Sequence, residues 1–417
     1  MTPTKTEILA WLREENSARL EELWQRADDT RRRHVGNAVY LRGLIEISNH
    51  CVRQCGYCGL RVGNTALTRY RMAPEEILEA AREAVRFGYG TVVLQGGEDF
   101  VITRDWMCEV IRRIKAETPL AITLSLGERS REDLEAWRAA GADRYLLRFE
   151  TSDRALFDHI HPGLHGRPSD RIALLRLLQS IGYEAGSGIM VGIPGQTYAS
   201  VADDIDLFRE LDLDMIGIGP FLPHPATPLG GTSYRESDPQ QSGGTSYRES
   251  PTEMNMGTRS SSSLPGVVDD QIPNTELMVY KAVALTRLVR PDANIPSTTA
   301  LATINKRDGR ELGLQRGANV CMPNLTPLRY RKLYEIYPGK ACIDETGTAC
   351  NRCLTGRIHR IGRTVGRGPG GRRTREPEAA PVFDVLKPLT PRRGPARAAL
   401  NVPKLVLTTA TQKENKP

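Results

Sequence analysis

Three cysteines lie close together near the start of the chain: Cys51, Cys55 and Cys58, with the spacing C-x3-C-x2-C. Cysteine thiolates ligate iron–sulfur clusters, so these three can hold three irons of a [4Fe–4S] cluster and leave the fourth with an open position. Such an iron can bind a ligand as well as carry an electron. The alternatives are buried cysteines without a metal, or a zinc site, which usually needs four ligands in C-x2-C pairs. His50 adjoins Cys51 and is poorly placed as the fourth ligand, so the spacing favours the cluster.

This spacing resembles that of the radical S-adenosylmethionine (SAM) superfamily. The resemblance implies that the open iron chelates the amino and carboxylate groups of the methionine part of SAM. It also implies that one electron from the cluster cleaves SAM to a 5′-deoxyadenosyl radical. Tyr57, just before the third cysteine, matches the superfamily position that packs on adenine.

The net charge of +7 arises in the C-terminal part of the chain. Residues 355–417 hold 14 Lys/Arg against 4 Asp/Glu, whereas the other 354 residues hold 43 against 46. The body of the protein is therefore nearly neutral, and a solvated tail accounts for the basicity better than a nucleic-acid or membrane partner does. An acidic, ferredoxin-like electron donor would suit such a tail.

The eight cysteines predict a reducing compartment, because a disulfide framework is improbable in a chain of 417 residues. The first residues contain no apolar segment of the kind found in secretory signals. No apolar run approaches the ~20 residues that span a bilayer. We therefore expect a cytoplasmic protein with no membrane partner and no nucleic-acid partner.

Strand-like and helix-like segments alternate eight times over about 290 residues, after two amphipathic helices within residues 4–33. Predicted strands are 44–48, 91–95, 121–125, 144–148, 186–191, 215–219, 295–297 and 319–322. Predicted helices between them are 74–87, 104–116, 131–140, 169–181, 198–211, 275–289 and 309–315. This pattern predicts an α/β fold, a complete (β/α)8 TIM-type barrel, with a doubly wound sheet as the alternative.

The barrel would carry N-terminal helices and a C-terminal extension that contains cysteines. The predicted domains are 1–40 for the helices, 41–330 for the barrel, 331–375 for the extension and 376–417 for a disordered tail. A low-complexity loop at 226–272 contains an eight-residue duplication, at 230–237 and 243–250, and a serine run. Its composition predicts a mobile loop, and its place after the sixth strand leaves open a lid or docking role.

Unusual residues cluster where the predicted strands end, the face at which barrels bind ligands. Gln95, Gly96, Gly97 and Glu98 follow the second strand, and the two glycines let the backbone approach a ligand closely. These residues match the superfamily GGE motif, which holds the methionine amino group. The side chains of Arg148 and Glu150 alternate on the fourth strand and point the same way, either as a structural ion pair or toward a ligand.

Cys342, Cys350 and Cys353 form a second set after the barrel. They can hold another iron–sulfur cluster, which we favour, or a zinc ion together with Cys321 or His359.

Several separated stretches resemble one family, the HydE-type radical SAM maturases of [FeFe]-hydrogenase, over residues 35–375. The resemblance rests on the stretches 46–61, 190–197, 294–299, 322–327 and 333–340. It implies SAM contacts from Tyr57, Gln95, Gly96, Gly97, Glu98, Glu150, Arg171 and Gly192. It implies a substrate side formed by Arg42, Thr123, Arg148, Thr298, Thr299, Met322, Tyr334 and Tyr337. It also assigns the optional second cluster to Cys342, Cys350 and Cys353.

The resemblance implies a step in building the diiron subcluster of the hydrogenase active site. The implied substrate is a small organometallic one, a cysteine-bound iron carbonyl–cyanide unit supplied by the tyrosine-lyase maturase. The radical would attack at sulfur, and the product would pass to a GTPase scaffold maturase. The alternatives are another biotin synthase-like radical SAM enzyme acting on an amino acid, such as a methylornithine synthase, and a cluster carrier without turnover.

Overall fold

The computed structural model describes residues 2–164, 168–231 and 270–372, which belong to one compact unit. The strands are β1 (Ala38–Ser48), β2 (Thr91–Gly96), β3 (Ala121–Ser125), β4 (Arg144–Leu146), β5 (Glu184–Val191), β6 (Met215–Pro220), β7 (Val320–Cys321) and β8 (Thr364–Val365). The helices are α1 (Lys5–Arg13), α2 (Ser17–Val35), α3 (Pro74–Arg86), α4 (Arg104–Glu117), α5 (Arg131–Ala140), α6 (Arg154–Ile160), α7 (Arg171–Ile181), α8 (Tyr198–Glu210), α9 (Glu276–Val289), α10 (Thr299–Ile304), α11 (Gly309–Gln315), α12 (Leu328–Arg331) and α13 (Gly347–Arg360).

The sheet is parallel throughout, in the order β6-β5-β4-β3-β2-β1-β7, with β8 paired to the start of β1. Two isolated parallel bridges, Met215↔Asn294 and Pro296↔Val320, connect residues 294–296 with β6 on one side and β7 on the other. Parallel strands joined by helices end at the same edge. The fold is therefore a TIM-like α/β arrangement in which the cysteine loop and the other strand-end segments share one face.

The predicted strand at 295–297 is wrong. Single bridges at Asn294 and Pro296 stand in its place. Proline has no N–H to donate to a strand ladder, so this segment cannot pair continuously. The other seven predicted strands are present. The third has the predicted bounds and the other six have shifted ends; the fourth ends at Leu146, before Arg148.

The two predicted N-terminal helices are present as α1 and α2, and they pack beside α8 and α9. Thr4 caps α1 in a capping box with Glu7, and the Asn16 side chain caps α2. Lys281 of α9 donates from Nζ to the carbonyl of Leu12 at 3.0 Å. None of the helices within the described ranges has the length and hydropathy to cross a bilayer.

Residues 369–372 lie against the amino ends of the strands. The Pro369 carbonyl accepts a hydrogen bond from Thr91 Oγ1 at 2.9 Å, and the Gly370 carbonyl accepts one from Asn294 Nδ2 at 3.0 Å. Arg372 forms ion pairs with Asp212, Asp214 and Asp292, which fix this segment in place. The segment therefore covers the face opposite the cysteine loop.

Candidate active site at the carboxyl ends of the strands

The cysteine loop begins directly after β1 and is shaped by Arg69. The guanidinium of Arg69 donates to the carbonyls of Asn49 at 2.5 Å, Leu60 at 2.8 Å and Arg61 at 2.8 Å. A charged donor that binds several carbonyls holds a loop more firmly than neutral contacts do. Arg69 therefore fixes the shape of the loop through its backbone carbonyls.

The three thiols of this loop are buried or partly buried. All eight cysteines lie within the described ranges, and none is in a disulfide. Burial raises the pKa of Cys55 to about 12 and raises the pKa of Cys51 and Cys58. Buried thiols without a charge partner stay protonated, and a metal that replaces these protons would satisfy all three sulfurs.

The surroundings of the thiols fit an iron–sulfur cluster. The backbone N–H of Glu98 donates to Cys51 Sγ at 3.4 Å. At Gly97 a Cβ would lie 2.2 Å from the carbonyl oxygen of His50 and 2.8 Å from Cys51 Cβ, so only glycine allows this approach. A single metal ion needs ligand atoms that lie close together. Within the described ranges this condition is met by a different group, Cys342, Glu345 and Cys350, whose ligand atoms lie within 4.8 Å of one another. The three loop cysteines, outside that group, suit a larger cluster.

A buried network of charges surrounds Cys55. Glu128, which follows β3, accepts from Arg171 Nε at 3.0 Å and from Ser169 Oγ at 2.5 Å, and pairs with Arg53 at 2.9 Å. His161 Nδ1 lies 3.0 Å from Cys55 Sγ. Burial raises the pKa of Glu128, but hydrogen bonding to His161 and the charge of Arg171 outweigh it and hold that pKa well below its usual range. Burial lowers the pKa of His161 to about 4, so the ring is neutral.

Glu128 and His161 are not among the residues that the sequence predicts for the site. Glu128 lies just after a predicted strand, and that position could have identified it as a candidate site residue. His161 directly follows α6, and its position carries no such signal.

The predicted SAM residues at the end of β2 and just after it have different surroundings. Gln95 lines the cavity described below, and its Nε2 donates to Tyr334 Oη at 3.2 Å. The carboxylate of Glu98 is 3% exposed and pairs with Arg53 at 2.8 Å. It is thus turned toward the cysteine loop, and the backbone at Gly97 and Glu98 faces the thiols.

Arg148 and Glu150 form an ion pair beyond the end of β4. Arg148 Nη2 lies 3.0 Å from Glu150 Oε2 and also donates to the Ile189 carbonyl at 2.5 Å. Glu150 has φ of 62°, a conformation that costs free energy for a residue with a side chain and is common at functional sites. Gly192 has φ of 85°, and a Cβ there would meet Asn274 at 2.3 Å.

A cavity of about 340 Å³ extends from the cysteine loop into the sheet. Its wall includes Cys58 of the cluster motif and Tyr57. Predicted substrate-side residues in the wall are Arg42, Thr123, Arg148, Thr298, Thr299, Met322 and Tyr337. Tyr334 is not in the wall, but it touches the cavity residue Gln95 through its hydroxyl. Arg171 is also outside the wall and donates to the carbonyl of Arg148 at 2.6 Å.

One hydroxyl in this cavity has no partner. Thr123 is 1% exposed, and its Oγ1 lacks a hydrogen-bond partner among the residues that the structure describes. A buried polar group without a partner costs free energy. Its presence in a cavity wall indicates a polar ligand.

Two charged residues of the wall, Glu46 and Lys340, are not among the predicted site residues. Lys340 Nζ forms a buried ion pair with Glu46, and Asn324 Nδ2 donates to the same carboxylate at 3.0 Å. The Lys340 ammonium also lies 5.0 Å from the centre of the Tyr334 ring. Lys340 is the last residue of the stretch 333–340, so the sequence carried a signal for it.

The second cysteine set lines a separate cavity of about 430 Å³. Cys342 and Cys350 lie together with Glu345, a residue that the sequence analysis did not include, whereas Cys353 is exposed. Neither Cys321, buried in β7, nor His359 belongs to this group. The serine run, the tail after 372 and all of the duplicated segments except Gly230 and Gly231 lie outside the described residues.

The comparisons with known proteins agree with this site. The radical SAM superfamily pattern matches residues 45–208. The [FeFe] hydrogenase maturase subunit HydE of Thermotoga maritima is 44% identical over 353 residues, which cover 85% of this chain and 89% of the relative. The 3-methylornithine synthase of Methanosarcina acetivorans is 27% identical over 75% of this chain and 77% of its own. A crystal structure of methylornithine synthase has the same fold, with a TM-score of 0.67 at 23% identity, over 88% of this chain and 95% of that chain. The extent of the HydE match, together with the cysteine loop and its cavity, places this chain in the HydE family of the radical SAM superfamily.

Proposed function

We propose that this radical SAM enzyme acts in assembly of the diiron subcluster of the [FeFe]-hydrogenase active site. Its substrate is a small organometallic one, a cysteine-bound iron carbonyl–cyanide unit. The observation that carries the proposal is the cavity of about 340 Å³, whose wall joins Cys58 of the cluster motif to seven residues expected on the substrate side. A reaction that begins at the cysteine loop can thus reach a substrate in the same enclosed space.

Cys51, Cys55 and Cys58 would hold the [4Fe–4S] cluster, and Tyr57, Gln95 and the backbone of residues 96–98 would bind SAM. The bound cluster would supply one electron for reductive cleavage of SAM to a 5′-deoxyadenosyl radical. The protein's part is to position the two ligands and keep water out. Apolar side chains such as Leu44, Val93 and Ile216 form part of the cavity wall and help to exclude water.

The substrate side presents polar groups that match a zwitterionic ligand. The Thr123 hydroxyl has no partner among the described residues and can bond an amino or carboxylate group. The pairs Arg148–Glu150 and Lys340–Glu46 bring cationic and anionic groups to the same cavity. A cysteine-bound ligand carries both charges, so this pattern suits it.

We infer three further features. The barrel is complete, closed through residues 294–296, and the two isolated bridges there support this closure. An iron–sulfur cluster binds at Cys342, Cys350 and Cys353, which share one cavity. The partners are a ferredoxin-like electron donor, a tyrosine-lyase maturase that supplies the substrate and a GTPase scaffold maturase that receives the product, as a HydE-family function requires.

The test is substrate-stimulated SAM cleavage. The protein is reconstituted anaerobically with iron and sulfide and reduced with dithionite, and 5′-deoxyadenosine is measured with and without the iron carbonyl–cyanide substrate. We expect stimulation by this substrate and its loss in Cys55→Ala. Equal amounts of 5′-deoxyadenosine with and without this substrate would contradict the assignment and favour an amino-acid substrate. Absence of cleavage from protein with a full cluster favours a carrier.

A further inference from the structure

His161 contacts a cluster ligand although the three-cysteine motif does not include it. The ring is fully buried, and its Nδ1 lies 3.0 Å from Cys55 Sγ. The main chain beside it is tied to the cysteine loop, because the N–H of Gly56 donates to the carbonyl of Ile160 at 2.7 Å. The ring also packs on Phe157, with 5.1 Å between ring centres. Both its position and its orientation are therefore fixed.

Two groups lie against the other ring nitrogen. Arg171 Nη2, which can only donate, lies 3.1 Å from His161 Nε2, and Glu128 Oε1 lies 3.3 Å from the same nitrogen. Arg171 cannot turn away, since its Nε donates to Glu128 at 3.0 Å and its Nη1 to the Arg148 carbonyl at 2.6 Å. The proton at Nδ1 follows from the other side of the ring. A cysteine sulfur that has lost its proton to bind iron can only accept, so the nitrogen that lies 3.0 Å from it, Nδ1, is the one that donates.

We propose that His161 is a positioning residue that donates a hydrogen bond from Nδ1 to Cys55 Sγ and thereby raises the reduction potential of the cluster. The proposal rests on the cluster assignment in the proposed function. Hydrogen bonds to cluster sulfurs set the potential, because they stabilise the reduced state, which carries one more negative charge. Arg53 pairs with Glu128 and Glu128 pairs with Arg171, so three side chains fix the ring that donates to the sulfur.

The test compares two substitutions of His161. Each places a side-chain amide at the position of one of the two ring nitrogens. In His161→Asn the side-chain amide can stand where Nδ1 stood and still donate to Cys55 Sγ. In His161→Gln the amide reaches toward Nε2, and the donor to sulfur is lost. His224→Gln is the matched control, because His224 is also a buried histidine against the cysteine loop but bonds the Ala226 N–H rather than a thiol.

The measurement is an EPR-monitored potential titration of the reconstituted cluster, without SAM or substrate. We expect the ratio of reduced to oxidised cluster at a fixed potential to fall by up to about tenfold in His161→Gln, which equals about 59 mV for one electron. His161→Asn and His224→Gln should stay near the wild type. An unchanged potential in His161→Gln, or equal losses in both His161 variants, would overturn the proposal.

A second measurement uses the unaltered protein, in case a variant fails to assemble the cluster. With ¹⁵N-labelled histidine, pulsed EPR of the reduced cluster should show a weak ¹⁵N coupling and an exchangeable proton from the N–H···S contact. Absence of both from a fully reduced cluster would also overturn the proposal. Because neither measurement involves turnover, a correct His161 assignment stands even if the organometallic substrate is wrong.

Discussion

Lys340 and Glu46 form an ion pair in the wall of the cavity beside the cysteine loop, with 6% and 1% of their side chains exposed. The two residues are 294 positions apart in sequence. The pair joins β1 to a residue that lies two positions before Cys342 of the second cysteine set. A break in this pair should therefore affect both stability and the substrate cavity.

Replacement of Lys340 tests this connection. Lys340→Met keeps the side-chain length but leaves Glu46 charged and buried, which should lower the free energy of unfolding by about 3 kcal/mol. Urea denaturation of the reconstituted protein measures the loss. Lys332→Met is the control, since Lys332 forms an exposed pair with Asp344 at 2.8 Å and should unfold like the wild type. In Lys340→Met/Glu46→Gln the two losses should not add, because no buried charge remains. Full additivity would show that the two residues do not act as a pair.

Thr123→Val should separate ligand binding from stability. The Thr123 hydroxyl has no partner among the described residues, so its removal should leave the protein as stable as before or more stable by up to about 1 kcal/mol. If the hydroxyl binds the substrate, stimulation of SAM cleavage should need about tenfold more substrate. Thr286→Val is the matched control: its buried hydroxyl in α9 likewise lacks a partner in the described part of the chain, but it lies outside the cavity. Equal substrate dependence in both variants would contradict a role for Thr123.

Gly97→Ala should prevent cluster assembly. A Cβ at Gly97 would lie 2.2 Å from a backbone oxygen of the cysteine loop, so the loop must shift away from its position. We expect iron bound after reconstitution to fall to less than about half of the wild-type content, since the misplaced sulfurs ligate poorly. Gly96→Ala is the control, because the nearest atom to a Cβ there is 3.4 Å away. Normal iron content in Gly97→Ala would show that the close approach is dispensable.

The sequence predicted the position of the site better than its internal contacts. Parallel strands end at one edge, so alternating segments alone brought Cys51, Gln95 and Arg148 to the same face. The family resemblance supplied Arg42 and Thr298, whose spacing carries no chemical signal. His161 was not predicted because its contact with Cys55 joins residues 106 positions apart, which no sequence period connects. Lys340 lies within the stretch 333–340, but its pairing with Glu46, 294 positions away, has no signal in the sequence. The strand predicted at 295–297 failed for a local reason, the missing N–H of Pro296.

The contribution of the buried Asp204 carboxyl to stability should fall as the pH rises from about 4 to about 7. Burial raises the pKa of Asp204 to about 7, although Ser152 donates to its Oδ1 from N at 2.5 Å and from Oγ at 2.6 Å. In the unfolded chain this carboxyl loses its proton near pH 4, so between pH 4 and 7 the folded state binds more protons. The free energy of unfolding therefore decreases across this window, by roughly 3 kcal/mol from this group, and the contribution is flat above it. Asp204→Asn keeps an acceptor for Ser152 and removes the titration. The difference in urea midpoint between wild type and Asp204→Asn, measured at pH 5 and pH 8, should change in favour of the variant at the higher pH. A difference that is the same at both values would mean that Asp204 is already ionised at pH 5.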